Sequence, residues 1–142
     1  MSVQLDTEWV GYNLKVTQHR LRLRLDAQLA ELGITSAQNA ALLAIAGNPR
    51  ISNADLARAA FVTPQTMQGV LVNLEKSGLI RRSPHPEHGR VIMTELTRAG
   101  QKVVAAGTTA ANTVERQMLS KLSAKEVAQL NALLKRCAEA LE

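Results

Sequence analysis

The 142-residue chain holds a single cysteine and only one tryptophan, one tyrosine and one phenylalanine. A lone cysteine excludes an internal disulfide framework and any cysteine-based metal cage. So few aromatics argue against recognition of RNA or single strands, which needs aromatic platforms for unstacked bases. No apolar run reaches the ~18 residues that would mark a membrane-spanning helix. The opening Met-Ser-Val-Gln-Leu-Asp-Thr-Glu has neither the basic stretch nor the apolar core of a signal peptide. A soluble, cytoplasmic protein is therefore expected. Gly-rich phosphate loops, a Ser/His/Asp arrangement and acidic pairs placed for catalysis are also missing, so neither an enzyme nor a cofactor is expected.

What the chain does have is apolar content: 46% hydrophobic against 20% charged residues, the balance of a folded globule rather than a disordered segment. Its length suits one domain with a core that needs no staples. The formal charge of +5 suits a polyanionic partner. Yet the excess is spread thinly. Residues 35–97 carry six basic and four acidic side chains, and residues 98–142 carry seven and four. Position therefore says more than total charge.

The most informative stretch runs from Ser52 to Thr97. Ile51–Ala60 predicts a short helix, and Val62–Lys76 predicts a second that stops at Ser77-Gly78. Leu79–Thr97 then predicts a two-stranded hairpin with Arg81, Arg82 and Arg90 on it. That order is a winged helix-turn-helix, whose second helix enters a DNA major groove while the wing reaches nearby phosphates. Thr35 with Gln38 forms a capping box, Ser52 with Asp55 resembles one, and Ser123 with Glu126 repeats it. Thr63 followed by Pro64 starts the second helix of the motif, since proline's missing amide costs nothing at a first helical position. Thr97 begins a long helix to about Leu119.

Residues 8–32 predict the first helix, although Arg20–Leu25 alternates like a strand. Val10, Leu14, Leu21, Leu25 and Leu32 fall on one helical stripe, and Tyr12, Val16, Leu23 and Ala30 on a roughly opposite one. A helix apolar on two sides has more to bury than one small domain offers, which points to a partner subunit. Val127, Leu130, Leu134, Cys137 and Leu141 form the stripe of the last helix. Cys137 is expected to be a buried structural thiol on that stripe.

On the second helix of the motif, Met67, Val70, Leu71 and Leu74 share a core-facing side. Thr63, Pro64, Gln65, Thr66, Gln68, Gly69 and Asn73 occupy the other. Gln and Asn pair bidentately with adenine, and Thr or Pro contacts a thymine methyl, so half-sites containing A·T are expected. Arg81, Arg82 and Arg90 suit phosphates better than bases, with His88 as a further wing contact. Solvent exposure is the plainer alternative for Arg81 and Arg82. The two histidines of His85-Pro-Glu-His88 are expected to be ordinary loop residues rather than metal ligands. Trp9 and Tyr12 are candidates for an effector cleft, with packing on a partner subunit as the alternative.

Three patterns carry a family resemblance. Leu32-Gly-Ile-Thr-Ser-Ala-Gln38 resembles an "LGLTxxQ" lead-in to the second helix. Val62-Thr-Pro-Gln-Thr-Met followed by Leu74-Glu-Lys-Ser-Gly-Leu-Ile80 resembles a recognition helix and its exit into a wing. His88-Gly-Arg90 followed by Leu96-Thr97 resembles a wing signature that usually reads Asp-x-Arg and then Leu-Thr. Together and in order, they resemble MarR-type transcriptional regulators over nearly the whole chain. The resemblance implies a mostly α, winged helix-turn-helix DNA-binding core with N- and C-terminal dimerisation helices. It also implies a homodimer on pseudo-palindromic double-stranded operator DNA, a repressor released by a small aromatic or phenolic effector. On this reading residues 1–142 form a single unit, 35–97 the winged helix-turn-helix, and 1–34 with 98–142 the dimerisation helices. Two departures stand out: Gly69 lies where the family often has Arg, and His88 replaces the wing Asp that typically holds the wing arginine. A thiol-based oxidation sensor on the same scaffold and a winged-helix protein-interaction module are the alternatives.

Overall fold

The computed structural model describes residues 7–142. Residues 1–6, which carry part of the signal-peptide reading and part of the expected 1–34 unit, lie outside the described residues. The chain is mostly helical, with α1 at Val10–Glu31, α2 at Ser36–Gly47, α3 at Asn53–Ala59 and α4 at Pro64–Lys76. A hairpin of β1 (Ile80–Pro84) and β2 (Ile92–Leu96) follows, then α5 (Arg98–Met118) and α6 (Ala124–Glu139). Arg20–Leu25 is helical throughout, as its wider window requires and its local alternation does not.

Local chemistry explains the boundaries. At α2, Thr35 Oγ1 accepts from the Gln38 N–H at 3.1 Å and Gln38 Oε1 accepts from the Thr35 N–H at 2.9 Å, a closed capping box. Ser123 and Glu126 close the same box on α6. Ser52 makes only half of one: its hydroxyl takes the Asp55 N–H, while the Asp55 carboxylate is held by Arg58 in an ion pair one turn on. Gly33 and Gly78 end α1 and α4 with φ of 76° and 72°, where a Cβ would be strained.

The core lies under the helix-turn-helix. Ala41, Leu42 and Ile45 of α2, Leu56 and Ala57 of α3, Met67, Leu71 and Leu74 of α4, and Ile80 of β1 form one buried cluster. β1 and β2 pair antiparallel with Ile80 opposite Leu96 and Arg81 opposite Glu95. The outer side of β2 is partly covered too, because the Thr94 N–H donates to the Pro49 carbonyl at 2.9 Å. That bond ties the loop before α3 to the wing and leaves less free edge for another chain to pair with.

α1 and α6 differ from the rest. α1 buries only Leu29, and α6 buries nothing. Trp9, Val10, Leu14 and Leu23 near or on α1, and Leu130, Leu133 and Leu134 on α6, all stand exposed. Cys137 is exposed with them, which corrects the expectation of a buried thiol: no described residue buries the stripe of α6 on which it lies. No single helix among the described residues is long and apolar enough to cross a membrane.

Candidate nucleic-acid interface and effector cleft

α4 has two faces of different character. Met67 and Leu74 are fully buried and Leu71 nearly so, which fixes the rotation of the helix in its socket. Thr63, Pro64, Gln65, Thr66, Gln68, Gly69 and Asn73 are consequently all exposed. Two of them already have work within the fold. Thr63 Oγ1 caps α4 through the Thr66 N–H at 3.1 Å and donates to the Thr66 hydroxyl at 2.9 Å. The Pro64 carbonyl accepts from Asn53 Nδ2 at 3.1 Å, locking the start of α4 to the start of α3. Gln65, Gln68 and Asn73 make no side-chain hydrogen bond among the described residues, so their amides are available to base edges. Val72 is also exposed on this helix, an apolar side chain that sequence reasoning passed over. Helical spacing from Gln65 and Gly69 shows it: 65, 69, 72 and 76 fall on one line.

The wing arginines divide. Arg81 pairs with Glu95 across the hairpin at 3.2 Å, and Arg82 pairs with Glu75 of α4 at 3.2 Å. Both therefore hold a carboxylate partner within the fold rather than simply facing solvent. Arg82 ties the root of the wing to the end of the recognition helix, which sets the angle between the two. Arg90, at the wing tip, has no ion pair among the described residues and is exposed. It is the wing's available cation.

The two wing histidines also divide, against the expectation that both are plain loop residues. His88 is exposed, but His85 is buried, with 8% of its surface accessible. Nδ1 of His85 accepts the backbone N–H groups of Glu87 and His88 at 3.0 and 3.1 Å, and its Nε2 lies 2.5 Å from an Arg50 guanidinium nitrogen. The ring thus closes the wing turn as an Asx side chain would, with Pro86 fixing φ at the next position. The His-Pro-x-x spacing could have shown this; the contact with Arg50, from the loop after α2, could not. Among the described residues no group of three or more His, Cys, Asp or Glu is placed to hold a metal.

A cleft of about 810 Å³ separates α1 from the helix-turn-helix. Leu21, Leu25, Ile34 and Ala40 line it, with Phe61 and Val62 from the α3–α4 turn. Its polar side is built from Arg22 and Asp26, which pair at 3.8 Å, and from Ser36, whose hydroxyl donates to the Asp26 carboxylate. A flat molecule with an acid group and a neighbouring donor has complementary partners there. Trp9 and Tyr12 do not border this cleft. Trp9 occupies the N-cap position of α1 without a side-chain cap bond and is 68% exposed.

Comparisons with known proteins agree with this geometry. Residues 32–91 match the MarR family profile. The HTH-type transcriptional repressor Rv2887 of Mycobacterium tuberculosis is 30% identical over 127 residues, covering 89% of this chain and 91% of that protein. The structure of Rv2887 in complex with salicylic acid superposes with a TM-score of 0.78, covering 93% of this chain and 98% of the other. The S. aureus MepR–DNA complex superposes with a TM-score of 0.81 at 26% identity, covering 97% and 100%. An identity of this extent, running through both the helix-turn-helix and the helices that flank it, establishes that the chain belongs to the MarR family of transcriptional regulators.

Proposed function

We propose that the protein is a homodimeric repressor that binds pseudo-palindromic operator DNA and is released by a small aromatic acid. The observation that carries the DNA half is the exposed face of α4. Gln65, Gln68 and Asn73 stand there with no side-chain hydrogen bond among the described residues, and Arg90 of the wing has no ion pair among them. Amides that hydrogen-bond adenine edges in the major groove and a guanidinium that meets the flanking phosphate divide recognition into base reading and positioning. Thr63, Pro64, Thr66, Gly69 and Val72 complete the surface by shape and methyl contact. His88 shares the wing tip with Arg90 as a second phosphate contact, while Arg81 and Arg82, held by Glu95 and Glu75 nearer the wing's root, meet the backbone only from within those pairs. Residues 35–97 do the reading; the α1 segment and residues 98–142 hold two copies together.

Dimerisation is supported by the leucines of α1 and α6 that stand exposed among the described residues, Leu14, Leu23, Leu130, Leu133 and Leu134. At roughly 25 cal/mol per Å² of apolar surface removed from water, a partner's matching helices are the economical cover. The two-fold axis then places half-sites about one helical turn, roughly 10 bp, apart. For release, the cleft beside α1 offers Arg22 to a carboxylate and Asp26 to a hydroxyl. The relative Rv2887 has been solved with salicylic acid and with p-aminosalicylic acid, ligands of that chemistry.

Selecting bound sequences from a random duplex pool tests the reading. The expected product is an inverted repeat with A·T pairs in each half, released from the protein by salicylate. Enrichment of no sequence over the starting pool would leave the winged helix as a protein-contact module and overturn the proposal.

A further inference from the structure

Phe61 is the most exposed large apolar side chain among the described residues, with 96% of its surface accessible. It is also the only non-glycine residue among the described residues with a positive φ, 55°. Each feature is unfavourable alone. A left-handed backbone disfavours any residue with a Cβ, and an exposed phenyl ring gains nothing from burial. The residue forms the turn between α3 and α4: its N–H donates to the Arg58 carbonyl at 3.2 Å, and the next N–H, of Val62, to Ala57 at 3.0 Å. Phe61 is among the residues that line the 810 Å³ cleft, together with α1 and the first turn of α2, which bring the Arg22–Asp26 pair and Ser36. Of the chain's three aromatic residues, Phe61 alone borders this cavity.

We infer that Phe61 is the aromatic wall of the effector cleft and the link from effector to recognition helix. A planar hydroxy-aromatic acid is held by its carboxylate at Arg22 and its hydroxyl at Asp26. The Phe61 ring then covers the ligand ring, in the offset or edge-on contact that aromatic pairs prefer. Because Phe61 is itself the turn, capture of its ring acts directly on the entry to α4, whose first residues are Pro64, Gln65 and Thr66. Release of DNA follows if the captured turn differs from the DNA-bound one, since a ligand shifts an equilibrium only by its differential affinity for the two states. This inference rests on the cleft being the effector site, so the test separates the two.

Salicylate binding to the full-length protein is measured by calorimetry for the wild type and for Phe61→Ala, Phe61→Gly and Ala37→Trp. Ala37 lines the cleft on α2, and an indole there fills it. Phe61→Gly removes the ring and suits the backbone, so it folds where alanine remains strained. Both Phe61 variants are expected to bind salicylate at least tenfold more weakly and to hold operator DNA, without salicylate, within threefold of wild type. Phe61→Trp in a Trp9→Phe background should keep binding and change its emission on adding salicylate. If Ala37→Trp abolishes binding while both Phe61 variants bind within twofold of wild type, the cleft reading stands and Phe61 is not its wall. Unaltered binding in Ala37→Trp, or none in the wild type, overturns the cleft reading and this inference with it. An equal loss of operator affinity in Phe61→Ala and Phe61→Gly would assign the ring to DNA or the partner instead.

Discussion

The same substitution, glycine to alanine, should change stability in opposite directions at Gly100 and Gly69. Gly100 lies in the first turn of α5, where its N–H donates to the Thr97 hydroxyl at 3.1 Å. A Cβ there would overlap the backbone carbonyl oxygen of Leu79, the link between α4 and the wing. That oxygen is not free to move, because it accepts the Thr97 N–H at 3.0 Å, and Thr97 Oγ1 holds the Gly78 carbonyl at 2.5 Å. Forcing an extra methyl into such a junction costs about 1–3 kcal/mol, and a backbone obstacle argues for the upper part of that range. Alanine's helix preference over glycine returns about 1 kcal/mol. The net expectation for Gly100→Ala is a loss of about 2 kcal/mol. At Gly69, in the middle of α4, nothing lies within 4 Å of the new Cβ, so only the helix term remains. Gly69→Ala should stabilise by up to about 1 kcal/mol. Urea unfolding followed by circular dichroism, at several protein concentrations because dimerisation adds to stability, measures both. Gly100→Ala as stable as wild type would mean that α5 does not approach Leu79 this closely, and the placement of the wing against α5 would need revision.

Gln68→Ala should relax preference at particular base pairs and cost on the order of 1–3 kcal/mol on the selected operator, whereas Arg90→Ala should weaken all duplexes evenly and flatten the salt dependence by about one unit; operator titrations across salt concentrations distinguish them. The Ser123 backbone N–H and hydroxyl hold the Glu126 carboxyl below its ordinary value of 4.5. A depressed folded-state value contributes stability above that pH and loses it as pH falls through the folded value. Glu126→Gln should therefore shallow the loss of stability below about pH 4.5, and an unchanged acid limb would show that the capping box does not persist in solution. His85→Ala should loosen the wing, seen as faster amide exchange at Glu87 and His88 with α2–α4 unchanged, because it removes their shared acceptor. Cys137→Ser should keep operator binding and its response to salicylate; peroxide-driven release from DNA that this variant abolishes would establish the oxidation-sensing alternative.

The helices and their ends were legible in the sequence because their causes are local. Thr35, Thr63, Thr97 and Ser123 satisfy amides within their own first turns, Gly33 and Gly78 supply the left-handed stops, and the apolar side of α4 repeats at helical spacing. The exposed face of α4 followed once Met67, Leu71 and Leu74 were assigned to the core, since burying one side of a helix exposes the other. Contacts between residues far apart in the chain carry no such signature. Which wing arginine is available depended on Glu75 and Glu95 lying within reach of Arg82 and Arg81, leaving Arg90 without an ion pair among the described residues. His85 is buried because the loop after α2 brings Arg50 to it, across a separation of 35 residues. Cys137 is exposed for the complementary reason: an apolar stripe predicts burial only where a surface exists to receive it, and the described residues of this chain provide none. Trp9 and Tyr12 were reasonable candidates by residue type. The cleft between α1 and the α3–α4 turn is lined by Phe61, a residue of positive φ, and not by either of them.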